Sequence, residues 1–152
     1  MGEIQYSKEI LGLANQIRRL YNASTGNNGA QIRILSFVLE NYTERDIFQK
    51  DVEEELNVRS AGTSTILKKL EEQEMIVREK VPYDDRLKRI RPTRRAIEKK
   101  DSVDRDIRLV ENRLISGISG DELDNFFEVT QKMIKNMNGI RGGKRHGSQC
   151  KN

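Results

Sequence analysis

One histidine and one cysteine are all that this chain offers toward nucleophilic or soft-metal chemistry. Both stand in its last seven residues, as His146 and Cys150. Their spacing of four makes joint metal ligation conceivable, but two ligands on a loose tail do not complete a tetrahedral zinc site. Lys144, Arg145 and Lys151 flank Cys150 and would favour a thiolate, yet no feature of the sequence fixes a pocket around it. It reads as an incidental thiol. Gly139, Gly142 and Gly143 match neither phosphate-loop spacing of nucleotide-binding proteins. Asp101, Asp104 and Asp106 cluster, but Arg105 and Arg108 interleave with them, which is ordinary ion pairing along a helix. The expectation is a chain with no catalytic centre, no metal and no cofactor, and so not an enzyme.

The chemistry that remains is cationic. Residues 59–100 hold 13 Lys and Arg against 7 Asp and Glu, whereas residues 1–58 and 101–140 are each net acidic and the tail from Arg141 adds further positive charge. From Arg86 to Lys100 only Glu98 is acidic. Net charge over the whole chain is +4, so the placement says more than the total. Positive charge gathered on this stretch of the chain is the footprint expected of phosphate binding.

The elements that must carry this charge run from Gln49 to Thr93. "QKDVEEELN" reads as a short helix with Val52 and Leu56 four apart on one face. Asn57 and Val58 interrupt it. Ser60 then suits the cap of a second helix, expected over Ser60–Gln73, with Ile66, Leu67 and Leu70 on its buried face. Small side chains crowd the first turns of that helix. They let a backbone approach base edges in a major groove, where bulk would hold it off. Arg59, Ser60, Ala61, Gly62, Thr63 and Thr65 are therefore the expected DNA-facing positions, with Lys68 and Lys69 for phosphates. An ordinary amphipathic helix with a polar start would look the same on this segment alone. The next residues along the chain separate the two. "MIVREK" alternates like a half-buried strand, "VPYDDR" reads as a turn, and "LKRIRPT" returns with Lys88, Arg89 and Arg91. A helix pair followed by a basic hairpin is the layout of a winged helix-turn-helix.

At this point the residues resemble a family. The run from Asp46 to Thr93 looks like the DNA-binding core of the MarR-type transcription regulators. Its most specific token is the wing: Asp, one residue, Arg, five residues, then Leu-Thr. Asp84, Arg86 and Thr93 match it, and Pro92 stands where the leucine would be. A glycine usual between recognition helix and wing is replaced by Glu74. The resemblance covers nearly the whole chain. It implies that Arg86 inserts into a minor groove, with Asp84 orienting it and Lys88 beside it. It also implies promoter occlusion as the mode of action and release by a small ligand.

The flanks are helical. Ile4 to Ser24 reads as one helix with Ile10, Leu13, Ile17 and Leu20 on one side, and Gln31 to Tyr42 as a second. Thr93 suits the cap of a long helix along which Val103, Ile107, Val110 and Leu114 repeat. Ser119 and Glu122 fit a capping box before a last helix lined by Leu123, Phe126, Phe127, Met133 and Met137. Periodicity leaves two uses for these stripes, a single-chain core or a seam with a second copy. The resemblance favours a homodimer paired through the first and last helices, which would meet a pseudo-palindromic operator. The expected plan is then 1–28 for the first pairing helix, 29–100 for the winged core, 93–140 for the later pairing helices and 141–152 for a disordered basic tail. The fold class is mostly α with a small β-hairpin wing. Arg18, Tyr21, Arg33 and Tyr42 lie where the first two helices and the long helix after the wing should meet. Two arginines near apolar walls suit a small aromatic or carboxylate ligand. The plainer alternative is that all four pack or face water.

With 152 residues the chain is one domain or one compact subunit, and with only 35% hydrophobic content it either has a small core or buries apolar surface against a second copy. No stretch approaches the roughly 20 apolar residues of a membrane span. The N-terminus has no continuous apolar run, and a lone cysteine makes no internal disulfide, so a cytoplasmic protein is expected. The partners implied are double-stranded DNA, a second copy and a small ligand. The rival use of the same fold is a winged helix that binds an acidic protein partner.

Overall fold

The computed structural model describes residues 2–26, 28–57 and 60–149, with backbone alone for 140–149. Two units are described in turn: one up to Leu114, one from Ile115 onward.

In the first unit, α1 (Tyr6–Thr25) ends at Gly26, whose φ of 62° is the left-handed C-cap that glycine adopts without cost. Helix α2 (Gly29–Asn41) follows. Gly29 lies where α1 and α2 come together: a Cβ there would sit 2.7 Å from that of Tyr21. Six consecutive residues of α2, from Ile34 to Leu39, are buried, so this helix is enclosed on every side. Around it stand α3 (Gln49–Leu56), α4 (Ser60–Glu72), the strands β1 (Ile76–Val81) and β2 (Asp84–Pro92), α5 (Arg94–Glu98) and α6 (Lys100–Ile115). Ile34, Leu35 and Val38 meet Ile47, Val52, Leu67, Leu70, Ile76, Ile90, Ala96 and Val103 in one cluster. Each fully buried aliphatic chain there contributes roughly 1.5–3 kcal/mol of transfer free energy.

Helix α3 begins where the Phe48 N–H donates to the Asp51 carboxylate at 2.8 Å. It ends at Asn57, in the left-handed region at φ 51°. Ser60 is the first helical residue of α4 instead of its cap. Arg59, before it, lies outside the described residues. Strand β1 pairs antiparallel with β2, from Ile76 opposite Pro92 to Lys80 opposite Lys88. The turn is tighter than "VPYDDR" suggests. Pro82 and Tyr83 alone make it, Val81 faces Asp84, and the register then breaks before Lys88. Asp85, Arg86 and Leu87 form the excess on β2, a bulge that turns side chains away from the ladder. The Ile90 N–H also donates to the Ile47 carbonyl at 2.6 Å, which ties the segment before α3 to the hairpin.

After the wing, the expected single long helix is two. The Thr93 hydroxyl accepts from the Ala96 N–H at 3.2 Å, but the helix it caps is the short α5. Lys99 leaves helical geometry before α6 begins. The same hydroxyl donates to the Glu74 carbonyl at 2.7 Å, so Thr93 fastens the end of the wing to the end of α4. Val103 and Val110 on α6 are buried, with Ile107 and Leu114 half-buried, which is the stripe that their spacing implies.

The second unit is α7 (Gly120–Gln149) with the turn before it. Ser119 and Glu122 form the capping box: Ser119 N–H donates to Glu122 at 2.9 Å and Glu122 N–H to Ser119 at 3.2 Å. The helix runs on to Gln149, past the end near residue 140 that its glycines suggested. Once a helix exists, each further residue adds a backbone bond, which outweighs weak local propensity. Residues 150–152, and Cys150 with them, lie outside the described residues. No helix among the described residues is long and apolar enough to cross a membrane.

Candidate nucleic-acid interface

Three elements come together at the start of α4. The Gln49 side-chain amide, on the first turn of α3, donates to the Ser64 hydroxyl at 2.9 Å, to Glu53 at 3.0 Å and to the Ser60 carbonyl at 3.4 Å. It thereby ties the first turn of α3 to the first turn of α4. Ser60, Ala61, Gly62, Ser64, Thr65, Lys68 and Lys69 are all exposed on α4. A Cβ added at Gly62 would meet nothing within 4 Å, so space in the folded chain does not require glycine there.

Thr63 departs from expectation. It is fully buried, on the same face as Leu67 and Leu70. The 3.6-residue period puts position 63 one turn ahead of Leu67, inside the core. It cannot reach a base. Ser64, which faces outward, takes its place among the exposed small residues. A strict count of the helical period would have separated these two from sequence alone.

On the wing, the Asp84 carboxylate accepts from the Arg86 backbone N–H at 2.9 Å, from Nε at 3.2 Å and from Nη2 at 3.3 Å. The Arg86 side chain is nevertheless 90% exposed. The guanidinium is thus aimed by two side-chain bonds while its outer edge stays free. Arg86 holds the Asp84 carboxyl below its usual range, first through the side-chain bond and then through the backbone one. Lys88 is exposed on the strand beyond, and Leu87 beside it is only partly covered. Arg89 turns the other way and pairs with Glu79 at 3.1 Å and with Asp46 at 3.5 Å. Arg78 is likewise committed, to Glu71 on α4.

Of the four residues expected near a ligand, Tyr21 and Arg33 meet. The Arg33 guanidinium lies over the Tyr21 ring, 5.7 Å from its centre. Burial, then the Glu111 carboxylate, raises the Tyr21 phenol above its usual value, against a lowering by Arg33. Arg18 instead donates to the Ala14 carbonyl of its own helix, and Tyr42 packs on the edge of the core cluster. Neither is hydrogen-bonded to the pair: Arg18 is tied to its own helix, and Tyr42 stands at the C-cap of α2.

The large apolar side chains of the arms remain uncovered in the single chain. Ile10 and Leu13 on α1 are exposed, with Ile17 half-buried; on α7, Phe126, Phe127, Met133 and Met137 are exposed and Leu123 half-buried. Leu114, at the end of α6, is half-buried.

Residues 25–87 match the sequence model of the MarR family. The Bacillus subtilis HTH-type transcriptional regulator YdgJ is 26% identical over 138 residues, which span 91% of this chain and 81% of that protein. Among solved structures, the S. aureus MepR–DNA complex superposes with a TM-score of 0.76 at 20% identity, covering 88% of this chain and 99% of the other. A Listeria monocytogenes MarR family transcriptional regulator complexed with 26mer DNA gives 0.76 at 18% identity, covering 90% of each chain. These two likenesses carry the fold.

Proposed function

Since the chain belongs to the MarR family of transcription regulators, we propose that it acts by binding duplex DNA with α4 and the wing. The observation that carries this is the pairing of an exposed, small-residue helix start with an aimed and exposed Arg86. Ser60, Ala61, Gly62, Ser64 and Thr65 would face base edges in a major groove, and Lys68 and Lys69 the adjoining phosphates. Arg59, between α3 and α4 in sequence, belongs to the same proposal although it lies outside the described residues. Arg86, oriented by Asp84, would enter the flanking minor groove, where a narrow A·T-rich stretch attracts arginine. Such a protein works in the cytoplasm, where its DNA is. The fold relatives solved with DNA support this reading.

The uncovered apolar arms support a homodimer. Ile10, Leu13, Ile17, Leu114, Leu123, Phe126, Phe127, Met133 and Met137 would be covered by the second copy, and two α4 helices would meet half-sites about one helical turn apart on a pseudo-palindromic operator. Occupation of a promoter would make it a repressor. A small aromatic or carboxylate compound settling by Tyr21 and Arg33 would release it, provided that it binds one arrangement of the arms better than the other.

The test is affinity for duplex DNA against salt. The logarithm of the binding constant should fall linearly with that of salt concentration, steeply, as phosphate-bound counterions are released. Sedimentation should give twice the chain mass of 17.6 kDa. Affinity for an acidic protein together with none for duplex DNA would reject the proposal in favour of a protein-binding winged helix.

A further inference from the structure

A cleft of about 250 Å³ opens between the first turn of α3 and the face of the wing. Phe48 and Leu87 are its apolar walls, and Gln49, Lys50, Arg78, Arg86 and Lys88 its polar ones. Four of these seven residues are cations, and no carboxylate lines the cleft. The nearby acids are already engaged: Glu71 with Arg78, Glu53 with Gln49, and Asp84 with Arg86. Lys50 and Lys88 have no hydrogen bond or ion pair among the described residues, and both are exposed.

Lys88 also carries a cost. The register sets it directly opposite Lys80, and like charges facing across a ladder repel. One step along, Glu79 opposite Arg89 forms the complementary pair. The wing therefore concentrates uncompensated positive charge at the rung beside the cleft. An anion placed there would relieve the repulsion and neutralise Lys50 as well.

Position names the anion. Gln49, at the cleft wall, is bonded to Ser60 and Ser64 at the start of α4, and Arg86, which also lines the cleft, stands 90% exposed on the wing. A strand reaching from α4 to the wing would have to cross the residues that line this cleft. We propose that the cleft is the seat of one backbone phosphodiester with its sugar, held by Lys50 and Lys88. The sugar lies against Phe48 and Leu87. Lys50 thus becomes a DNA-binding residue outside both the reading helix and the wing, and the seat fixes the spacing between them. This rests on the DNA-binding reading above.

The experiment uses the full chain and a duplex selected from a random library. Affinity is measured across salt for the wild type, Lys50→Gln, Lys88→Gln, the double variant, and Lys132→Gln on α7 as a charge control. Each cleft substitution should make the salt slope shallower by up to about 0.9, the control should not, and melting temperatures should stay together. A single neutral methylphosphonate, moved along the backbone, should weaken the wild type at one linkage per half-site where it leaves the double variant unchanged. If the wild type binds duplex steeply but the cleft variants keep its slope, or no linkage spares the double variant, the seat is wrong and the DNA reading stands. If the wild type binds no duplex at any salt, both fall.

Discussion

The Tyr83 hydroxyl, in the turn of the wing, donates to the Asp46 carboxylate at 3.0 Å, across 37 residues of chain. Arg89 reaches the same carboxylate from β2, and the adjoining Ile47 carbonyl takes the Ile90 N–H. Lost hydration at the turn, and then the Asp46 bond, raise the Tyr83 phenol above its usual value. Asp46 thus holds the wing from outside it. Asp46→Ala should leave the melting temperature almost unchanged, because exposed pairs contribute little. It should speed hydrogen exchange at the wing amides, Ile90 above all, and lower duplex affinity. Unaltered exchange would mean that the backbone bond alone anchors the hairpin.

Glu74, just after α4, has φ 57°. A side chain in this left-handed region is strained, and glycine is not. Glu74→Gly should therefore raise stability by up to about 1 kcal/mol in denaturant unfolding, the relief of a left-handed penalty of roughly 1–2 kcal/mol less the roughly 0.4–1 kcal/mol of unfolded-chain entropy that glycine adds, since its carbonyl can still accept from Thr93. Asn57, at φ 51°, is of the type that tolerates this geometry. Asn57→Ala should destabilise the fold. A stability loss in Glu74→Gly would show that its side chain matters more than its backbone.

Gly62 separates stability from function. It lies inside α4 with open space around it, where alanine is better by roughly 0.5–1 kcal/mol. Gly62→Ala should melt higher and bind duplex DNA more weakly, because the added methyl stands between helix and base edges. Both readouts moving upward would take this face of α4 out of the interface.

The Asp84–Arg86 pair has a defined pH window. The Asp84 carboxyl is depressed in the folded chain, so its contribution is full above the ordinary aspartate value near ~3.9. It is lost as pH falls through the lower, folded value. A carbon-detected NMR titration should place the Asp84 midpoint below that of an unpaired aspartate, and Arg86→Ala should return it. A midpoint unmoved by Arg86→Ala would mean that the pair does not form in solution.

Much of this was legible in the sequence, and the misses have physical causes. Val52, Leu67 and Leu70 fall inward because their spacing matches the helical period, and Ile76 and Ile90 because strand alternation does. Asp84 and Arg86 were legible as a pair, although the bulge that displays Arg86 was not, since register depends on pairing with a distant strand. Thr63 was misplaced because a small polar residue carries no burial signal of its own. The break at Lys99 was hidden because lysine is a good helix former. Gln49 and Asp46 were silent, because their work is done across the fold by partners far along the chain.

On the proposal made above, α4 and the wing grip one duplex from one face. Hydroxyl-radical footprinting of the wild type and Arg86→Ala on a selected duplex tests it most directly. The wild type should protect the edges of a major groove and a flanking minor groove in each half-site. Arg86→Ala should lose the minor-groove protection, keep the major-groove pattern, and bind about ten- to a hundredfold more weakly. An unchanged footprint at unchanged affinity would contradict the account.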